Sequence, residues 1–299
     1  MGMSWLAILN PAAHNRRYRT HVRWLARELH RRLGAECILT AYPGHAREIA
    51  GAGRGYDGCI VVGGDGTLFE IVNGLDLRRQ CLGLVPVGTG NGFARDLGLR
   101  GSAAALQALA RPHPTPVDLI RARYRVNCDW REQWVVSTSS VGYVAEVVAL
   151  ALGPLKRLAH FRYAVAAYLQ RSRKRLKEYP ARLRVDDGPW QEGILTNLAV
   201  NNTRHAGHFC LFPEARIRDG RLNLLYGRVG HLSQLVEDIA ILTRTYFFGR
   251  SLRRLAQLVE VELEKPATLM LDGELVHGVD AVRFEVVPGA LRCCTPAPR

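Results

Sequence analysis

Gly63-Gly64-Asp65-Gly66-Thr67 directly follows the apolar run Cys59-Ile60-Val61-Val62. Three glycines let the backbone turn sharply and bring N–H groups close to an anionic ligand. Thr67 and Glu70 have capping-box spacing, which predicts a helix start there with its positive end toward the same anion. Asp65 is the unusual member, because a carboxylate repels phosphate unless a Mg²⁺ ion or a substrate proton lies between them. Glycine loop plus acid points to phosphoryl transfer; the plainer alternative is a tight strand-to-helix turn with a solvated Asp. A second loop, running from Pro86 to Arg95, also ends a strand-like run. There Gly88 and Gly90 open the backbone, while Thr89 and Asn91 offer side-chain hydrogen bonds. No GxxxxGK(S/T) is present, and no GxGxxG follows the first strand, which argues against P-loop kinases and dinucleotide dehydrogenases.

The elements that must carry these loops alternate in type over the first 120 residues. Trp5 to Leu9 reads as a buried strand. Val22, Leu25, Leu29 and Leu33 mark one helical face, with Arg23, Arg27 and Arg31 outside it. Strands are expected at 36–41, 59–62 and 82–87, and helices at 46–52, 67–75 and from Phe93. This order implies a parallel sheet covered by helices, with both glycine loops at carboxyl ends of strands. After Pro112 and Pro114 the pattern turns antiparallel, with turn signals at Asp187-Gly188, Asp219-Gly220 and Asp272-Gly273. Helical insertions are expected near 155–177 and 233–248. The boundaries read 1–120 for an α/β domain and 121–299 for a β-rich domain whose terminal segment can return to the first.

Residues 63–74 resemble the signature of the diacylglycerol-kinase catalytic-domain family, which includes soluble bacterial lipid kinases, sphingosine kinases and ceramide kinases. The loop at 86–91 is similar to the family's second nucleotide loop. Asn10-Pro11, Thr40 with Gly44-His45-Ala46, Asp118, a run through Asn201, Pro213, Ala215, Asp219-Gly220 and Leu222, and Asp272-Gly273-Glu274 follow in family order. The resemblance implies a NAD-kinase-like α/β nucleotide domain joined to a C-terminal β-sandwich, with the active site between them. It implies ATP and Mg²⁺ as cofactors, and a diacylglycerol-like or sphingoid lipid as acceptor. Asn10, Thr40, Gly63, Gly64, Asp65, Gly66, Thr67, Glu70, Gly88, Thr89, Gly90, Asn91 and Asp118 would bind nucleotide. Asp219, with the carbonyls of Arg216 and Arg221, would hold a structural Mg²⁺. Asp272 or Glu274 would be the base, beside Asp65. If 272–274 is extended, both side chains share one face; the alternative is that Asp272-Gly273 is only a hairpin turn. The chain departs from the family at Ala12-Ala13-His14, Phe69, Gly92 and Ala206-Gly207-His208.

The 299 residues carry a formal net charge of +14 and 47% hydrophobic content. Such a field attracts nucleotide phosphates, an anionic membrane face or nucleic acid. Nucleic acid is not expected, because it leaves the two loops without purpose. Seven cysteines without a CxxC pair support neither a disulfide framework nor a zinc ribbon. The first residues do not read as a secretory signal, and no apolar run is long enough to span a membrane. Expected location is therefore cytoplasmic, with peripheral attachment to an anionic membrane. A basic amphipathic stretch from Gly153 to Lys177, holding eight Lys and Arg and no acid, could provide that attachment or be an ordinary solvated face. Tyr246-Phe247-Phe248 is a second membrane candidate, better read as core. His205, His208 and Cys210 lack a fourth ligand for zinc. A homodimer is compatible with this reading. Competing functions are a kinase for a soluble polyol or NAD, and an inactive lipid- or nucleotide-binding homologue.

Overall fold

The computed structural model describes residues 3–13, 18–88, 90–155, 162–172, 176–206, 209–228 and 252–296. β1 (Trp5–Leu9), β2 (Glu36–Leu39), β3 (Gly58–Gly63) and β4 (Cys81–Pro86) form a parallel sheet in the order β4-β3-β1-β2. β1, β3 and β4 are buried along their whole length, so they read as unbroken apolar runs. Successive residues serve opposite cores: Leu6, Ile8 and Val61 face one, Ala7, Leu9 and Ile60 the other. α1 (Tyr18–Leu33) buries Val22, Leu25 and Leu29 and turns Arg23, Arg27 and Arg31 outward. α2 (His45–Ala52), α3 (Asp65–Val72), α4 (Gly92–Asp96) and α5 (Ser102–Ala110) complete this half.

The expected capping box is not used as one. α3 begins at Asp65 behind Gly64, with no side-chain cap. The Thr67 hydroxyl instead accepts Asn10 Nδ2–H at 2.8 Å. Glu70 reaches back to the preceding helix, accepting the N–H groups of Gly44 and Ala46 at 3.0 and 3.2 Å. A carboxylate at the start of α2 is favoured by that helix's orphan donors and its dipole.

β5 (His113–Val126) runs unbroken through residue 120. It opens an antiparallel system with β6 (Asp129–Val135), β7 (Thr138–Gly142), β8 (Tyr179–Val185), β9 (Gln191–Leu195), β10 (Asn197–Asn201), the two-residue pair β11 (His205–Ala206) and β12 (Phe209–Cys210), β13 (Leu222–Gly227), β14 (Leu252–Ala256), β15 (Leu258–Leu271) and β16 (Glu274–Thr295). β15 pairs with β8 along Val259–Leu263 and with β7 along Leu269–Leu271, and its register shifts between the two stretches. It therefore belongs to both layers of a sandwich, as strands that turn a corner through bulges do. Ile120, Leu183, Leu198, Leu224, Val261 and Phe284 fill one core between those layers.

Three features fix this sandwich against the parallel sheet. β16 pairs with β5 over most of its length, then lays Arg292 and Cys293 parallel to Cys81 and Leu82 of β4. Phe69 of α3 is buried in the sandwich core. Asn73 at the end of α3 donates to the Trp134 carbonyl and accepts the Trp134 N–H, at 2.9 and 2.8 Å.

The expected insertion near 155–177 contains the helix α7 (Arg162–Ser172), preceded by α6 (Tyr143–Leu152). Residues 156–161 and 173–175 lie outside the described residues, as do the insertion expected near 233–248 and Tyr246-Phe247-Phe248. α7 does not follow the expected amphipathic pattern: Ala166 and Gln170 are buried, while Tyr168 and Leu169 are exposed.

Asp118, expected near nucleotide phosphates, does something else. It is buried, and its two carboxylate oxygens accept the N–H groups of Gly220 and Gly289, each at 2.8 Å. Its own carbonyl accepts Asn202 Nδ2–H at 2.6 Å. It thus ties β5 to the 217–220 turn and to the bulge of β16. Asp118→Ala would remove the acceptor of two backbone donors, on half-buried Gly220 and exposed Gly289, costing about 0.5–1.5 kcal/mol for each. Thermal melting should show a clear loss of stability; an unchanged midpoint would remove this role.

Candidate active site

Strand order reverses between β1 and β3, and an open α/β sheet binds ligands beyond the carboxyl ends of the strands at such a point. Asn10 follows β1 there, and Gly63 ends β3. Thr40, buried, follows β2 and donates its N–H to Leu9. The two glycine loops meet at this edge. A Cβ on Gly88 would lie 2.5 Å from Gly64 Cα, and one on Gly63 would meet Thr67 Cβ at 2.6 Å. Gly66 differs, since a Cβ there would touch nothing within 4 Å. Its surroundings are open where the first turn of α3 presents unpaired N–H groups.

Asn91 holds the second loop at a left-handed φ of 51°. Its Oδ1 accepts the Gly88 N–H at 3.1 Å and its Nδ2 donates to the Gly88 carbonyl at 2.5 Å. Gly92 donates its N–H to Asp65 Oδ1 at 3.1 Å, so the loop touches the acid through backbone at this departure from the family pattern. Arg95 donates to the Gly90 carbonyl at 2.6 Å. Burial pushes the Asp65 carboxyl up; the Gly92 and Asn91 amides and the Arg95 charge pull it back. Thr89 lies outside the described residues.

Asp272 does not share a strand face with Glu274. Asp272 and Gly273, at φ 49° and 101°, are the two central residues of the turn between β15 and β16. Two left-handed residues are what a tight hairpin of right-twisted strands requires. The Asp272 carboxylate turns back onto the β6–β7 junction. Oδ2 accepts the Val136 N–H at 2.6 Å, and Oδ1 accepts those of Ser137 and Thr138 at 2.8 and 2.9 Å. Burial pushes its pKa up to about 6 against those three bonds, and the Asp65 charge adds to the rise. Glu274 is exposed at the start of β16, and desolvation followed by the Glu70 charge raises its pKa. The hairpin therefore brings Asp272 into the field of Asp65 and Glu274 into that of Glu70.

Asp219 is exposed, with Oδ1 accepting the Arg221 N–H at 3.1 Å. It lines a cleft of about 1030 Å³ shared with Gly90 and Asn91, but also with Arg95, Arg100, Arg204, Arg216 and Arg218. Among the described residues no group of His, Cys, Asp or Glu side chains is arranged to hold a metal ion. Asp219 is the one exposed carboxylate in that lining, and a divalent cation there would rest on it and on the carbonyls of Arg216 and Arg221. His205, considered above as a metal ligand, instead bonds Asp96 Oδ1 through Nδ1 at 2.8 Å, while Asp96 Oδ2 accepts the Arg204 N–H at 2.7 Å. Asp96 had no signal in the sequence, because its partners lie more than a hundred residues away.

A parallel sheet with two touching glycine loops at its switch point, closed by a sandwich that returns a carboxylate to them, has the build of a two-domain kinase. Residues 4–122 match the diacylglycerol kinase catalytic domain, and residues 137–295 match the YegS C-terminal NAD kinase beta sandwich-like domain. The chain is 32% identical over 263 residues to the "Probable lipid kinase YegS-like" of Stenotrophomonas maltophilia strain K279a, spanning 82% of this chain and 80% of that one. It is 31% identical over 278 residues to the protein of the same name from Pseudomonas aeruginosa strain PAO1, spanning 87% and 84%. In three dimensions it resembles a diacylglycerol kinase from Bacillus anthracis strain Sterne, with a TM-score of 0.77 at 21% identity over 99% of this chain and 97% of that one; this likeness concerns the fold alone. The chain belongs to the diacylglycerol-kinase catalytic-domain family of lipid kinases, in its form with a YegS-type C-terminal sandwich.

Proposed function

We propose that this chain transfers the γ-phosphoryl group of ATP to a hydroxyl of a diacylglycerol-like or sphingoid lipid, working at the cytoplasmic face of an anionic membrane. The observation that carries this reading is the buried Asp272 carboxylate, held by three backbone amides and close enough to Asp65 to feel its charge. The uncapped start of α3 and the backbone of 63–66 and 88–92 offer N–H groups to phosphate oxygens. In phosphoryl transfer most of the work is such positioning and charge stabilisation. Asp65, a hard oxygen donor in the same crevice, fits a Mg²⁺ ion carried with the triphosphate, which would neutralise charge on the β- and γ-phosphates. Asp272 accepts three N–H bonds of the about four that a carboxylate can take, so one acceptor position is left for a hydroxyl proton. Glu274 orients the acceptor.

The test is transfer of labelled phosphate from ATP to dispersed diacylglycerol, ceramide and a sphingoid base, with glycerol and NAD alongside. Label is expected in a lipid. Label in a soluble alcohol alone would replace the lipid by that alcohol, and ATP binding without any transfer would mark an inactive homologue.

Among the described residues no helix is long and apolar enough to cross a membrane, so the proposed attachment is peripheral. Tyr168 and Leu169, 63% and 40% exposed on α7, adjoin the basic segment that ends at Lys177 and can enter the interface. Binding to vesicles should rise with anionic lipid and fall with salt. Tyr168→Ser with Leu169→Ser should lower turnover on vesicles while sparing a short-chain soluble substrate. Equal loss on both would show that these residues support the fold.

A further inference from the structure

The cleft between 86–101 and 204–219 is lined by Gly90 and Asn91 but not by Gly63, Gly64, Asp65, Asp272 or Glu274, so it opens beside the glycine-loop crevice rather than within it. Five arginines line it, Arg95, Arg100, Arg204, Arg216 and Arg218, against two acidic residues, Asp96 and Asp219. Asp96 Oδ2 accepts the Arg204 backbone N–H and its Oδ1 bonds His205. Arg95 and Arg204 are held in place by bonds to the carbonyls of Gly90 and Ala215. Arg100, Arg216 and Arg218 line the cleft and are exposed, and no carboxylate among the described residues lies within ion-pair distance of them.

A second feature points to the same charge. Gly101, which lines the cleft, is the N-cap of α5, a helix of nine residues with no capping side chain and no acid in its first turn. Its first N–H groups and the positive end of its dipole therefore add to the arginines. Guanidinium forks match phosphate oxygens in geometry, and a cleft lined by one sign of charge concentrates the opposite sign. The volume far exceeds that of one phosphate, leaving room for the body that carries it.

From this we infer that the arginine-lined cleft is a binding site for a phosphate group distinct from the one being transferred, occupied either by a free phosphorylated molecule or by an anionic lipid headgroup. Arg216 and Arg218 on the sandwich side and Arg100 with the start of α5 on the sheet side grip it from opposite walls. Occupancy would tie 204–219 to 86–101 and so hold the second glycine loop against the sandwich. The inference does not depend on the acceptor proposed above, nor on transfer taking place.

Inorganic pyrophosphate is titrated calorimetrically into the full chain in metal-free buffer, with and without saturating ADP. In parallel the protein is sedimented with phosphatidylcholine vesicles lacking or containing phosphatidic acid. Each probe is repeated on Arg216→Gln with Arg218→Gln and on Arg100→Gln, with melting temperature as the check on folding. Binding should weaken about tenfold or more for each guanidinium removed, as loss of a charge-assisted hydrogen bond implies. Pyrophosphate binding that survives ADP identifies a free phosphate as occupant; phosphatidic-acid-dependent sedimentation alone identifies a headgroup. Displacement of pyrophosphate by ADP, equal binding by the folded variants, or no binding of either probe would overturn the inference. A kinase inactive on every lipid but binding pyrophosphate through these arginines would leave the site standing and remove the proposed reaction.

Discussion

Asp272→Asn should lower the rate of phosphoryl transfer by about 10²–10⁴-fold, the usual worth of a positioned general base. The amide keeps the shape of the turn, and its oxygen can retain the Ser137 and Thr138 bonds made by Oδ1. Its NH₂ then faces the Val136 N–H that Oδ2 accepted, leaving that donor unpaired. Against this loss, the substitution removes a buried charge. A carboxyl raised from 3.8 to about 6 favours the folded state most when protonated. Its contribution to stability is thus fully present below pH 3.8 and lost as pH rises through about 6. Activity should run the opposite way, because only the ionised form accepts a proton: turnover rises through about pH 6 and then levels. Removing the charge and orphaning Val136 offset one another, so the melting temperature near neutral pH should change far less than the rate. Single-turnover transfer and a pH–rate profile, with melting curves from the same samples, decide the matter. A wild-type profile flat from pH 5 to 8, or a folded variant with normal turnover, would exclude Asp272 as base. Glu274→Gln should be milder, since Glu274 is exposed and makes no comparable set of bonds; if it is the more damaging change, the two roles are exchanged.

What could be read from the sequence was what is local. Cys59–Val62, then glycine, acid and threonine, is contiguous, and strand, loop and helix follow from adjacent residues. Val22, Leu25 and Leu29 announce their buried face by spacing alone. α5 gives no periodic signal in the sequence, because Ser-Ala-Ala-Ala-Leu-Gln-Ala-Leu-Ala carries little amphipathic contrast. β5 is hidden by Pro114 and Pro116, although its burial alternates with period two from Ile120 to Val126, as a strand with one covered face does. The capping-box spacing of Thr67 and Glu70 misled for a related reason: both side chains have partners on other elements, Asn10 and the start of α2. Asp118 and Asp96 could not be placed at all from sequence, since their carboxylates close contacts over about a hundred residues or more. A residue-by-residue resemblance carried Asp118 to the phosphates, while tertiary hydrogen bonding assigns it to the framework. The Asp272-Gly273 turn was legible as a pair of residue types, but the direction of its carboxylate depends on strands that pair far along the chain.

Gly88→Ala and Gly66→Ala should have opposite effects on stability, and the contrast isolates what the glycine loops do. A Cβ on Gly88 would sit 2.5 Å from Gly64 Cα, closer than real Cβ contacts allow. The obstacle is backbone on both sides: Gly64 leads into α3, and Gly88 is clamped by the Asn91 side chain. The loops must separate, which stretches the Gly92 N–H bond to Asp65 and disturbs the acid as well as the amides. Overpacking of this kind costs about 1–3 kcal/mol, so the melting temperature should fall. Gly66 lies in the first turn of α3 with open space around its missing Cβ, and alanine there favours the helix by at most about 0.8–1 kcal/mol, the value for a helix interior. Gly66→Ala should therefore melt at the same temperature or slightly higher. If the triphosphate lies over the start of α3, the added methyl group occupies the approach and ATP affinity drops although the protein is more stable. Gly88→Ala should lose affinity together with stability. Calorimetric ATP binding on both variants distinguishes the cases, because no general defect in folding can weaken binding while raising the melting temperature. Unchanged affinity in Gly66→Ala would place the phosphates away from the α3 terminus, and unchanged affinity and melting in Gly88→Ala would mean that the contact between the two loops does not shape the site.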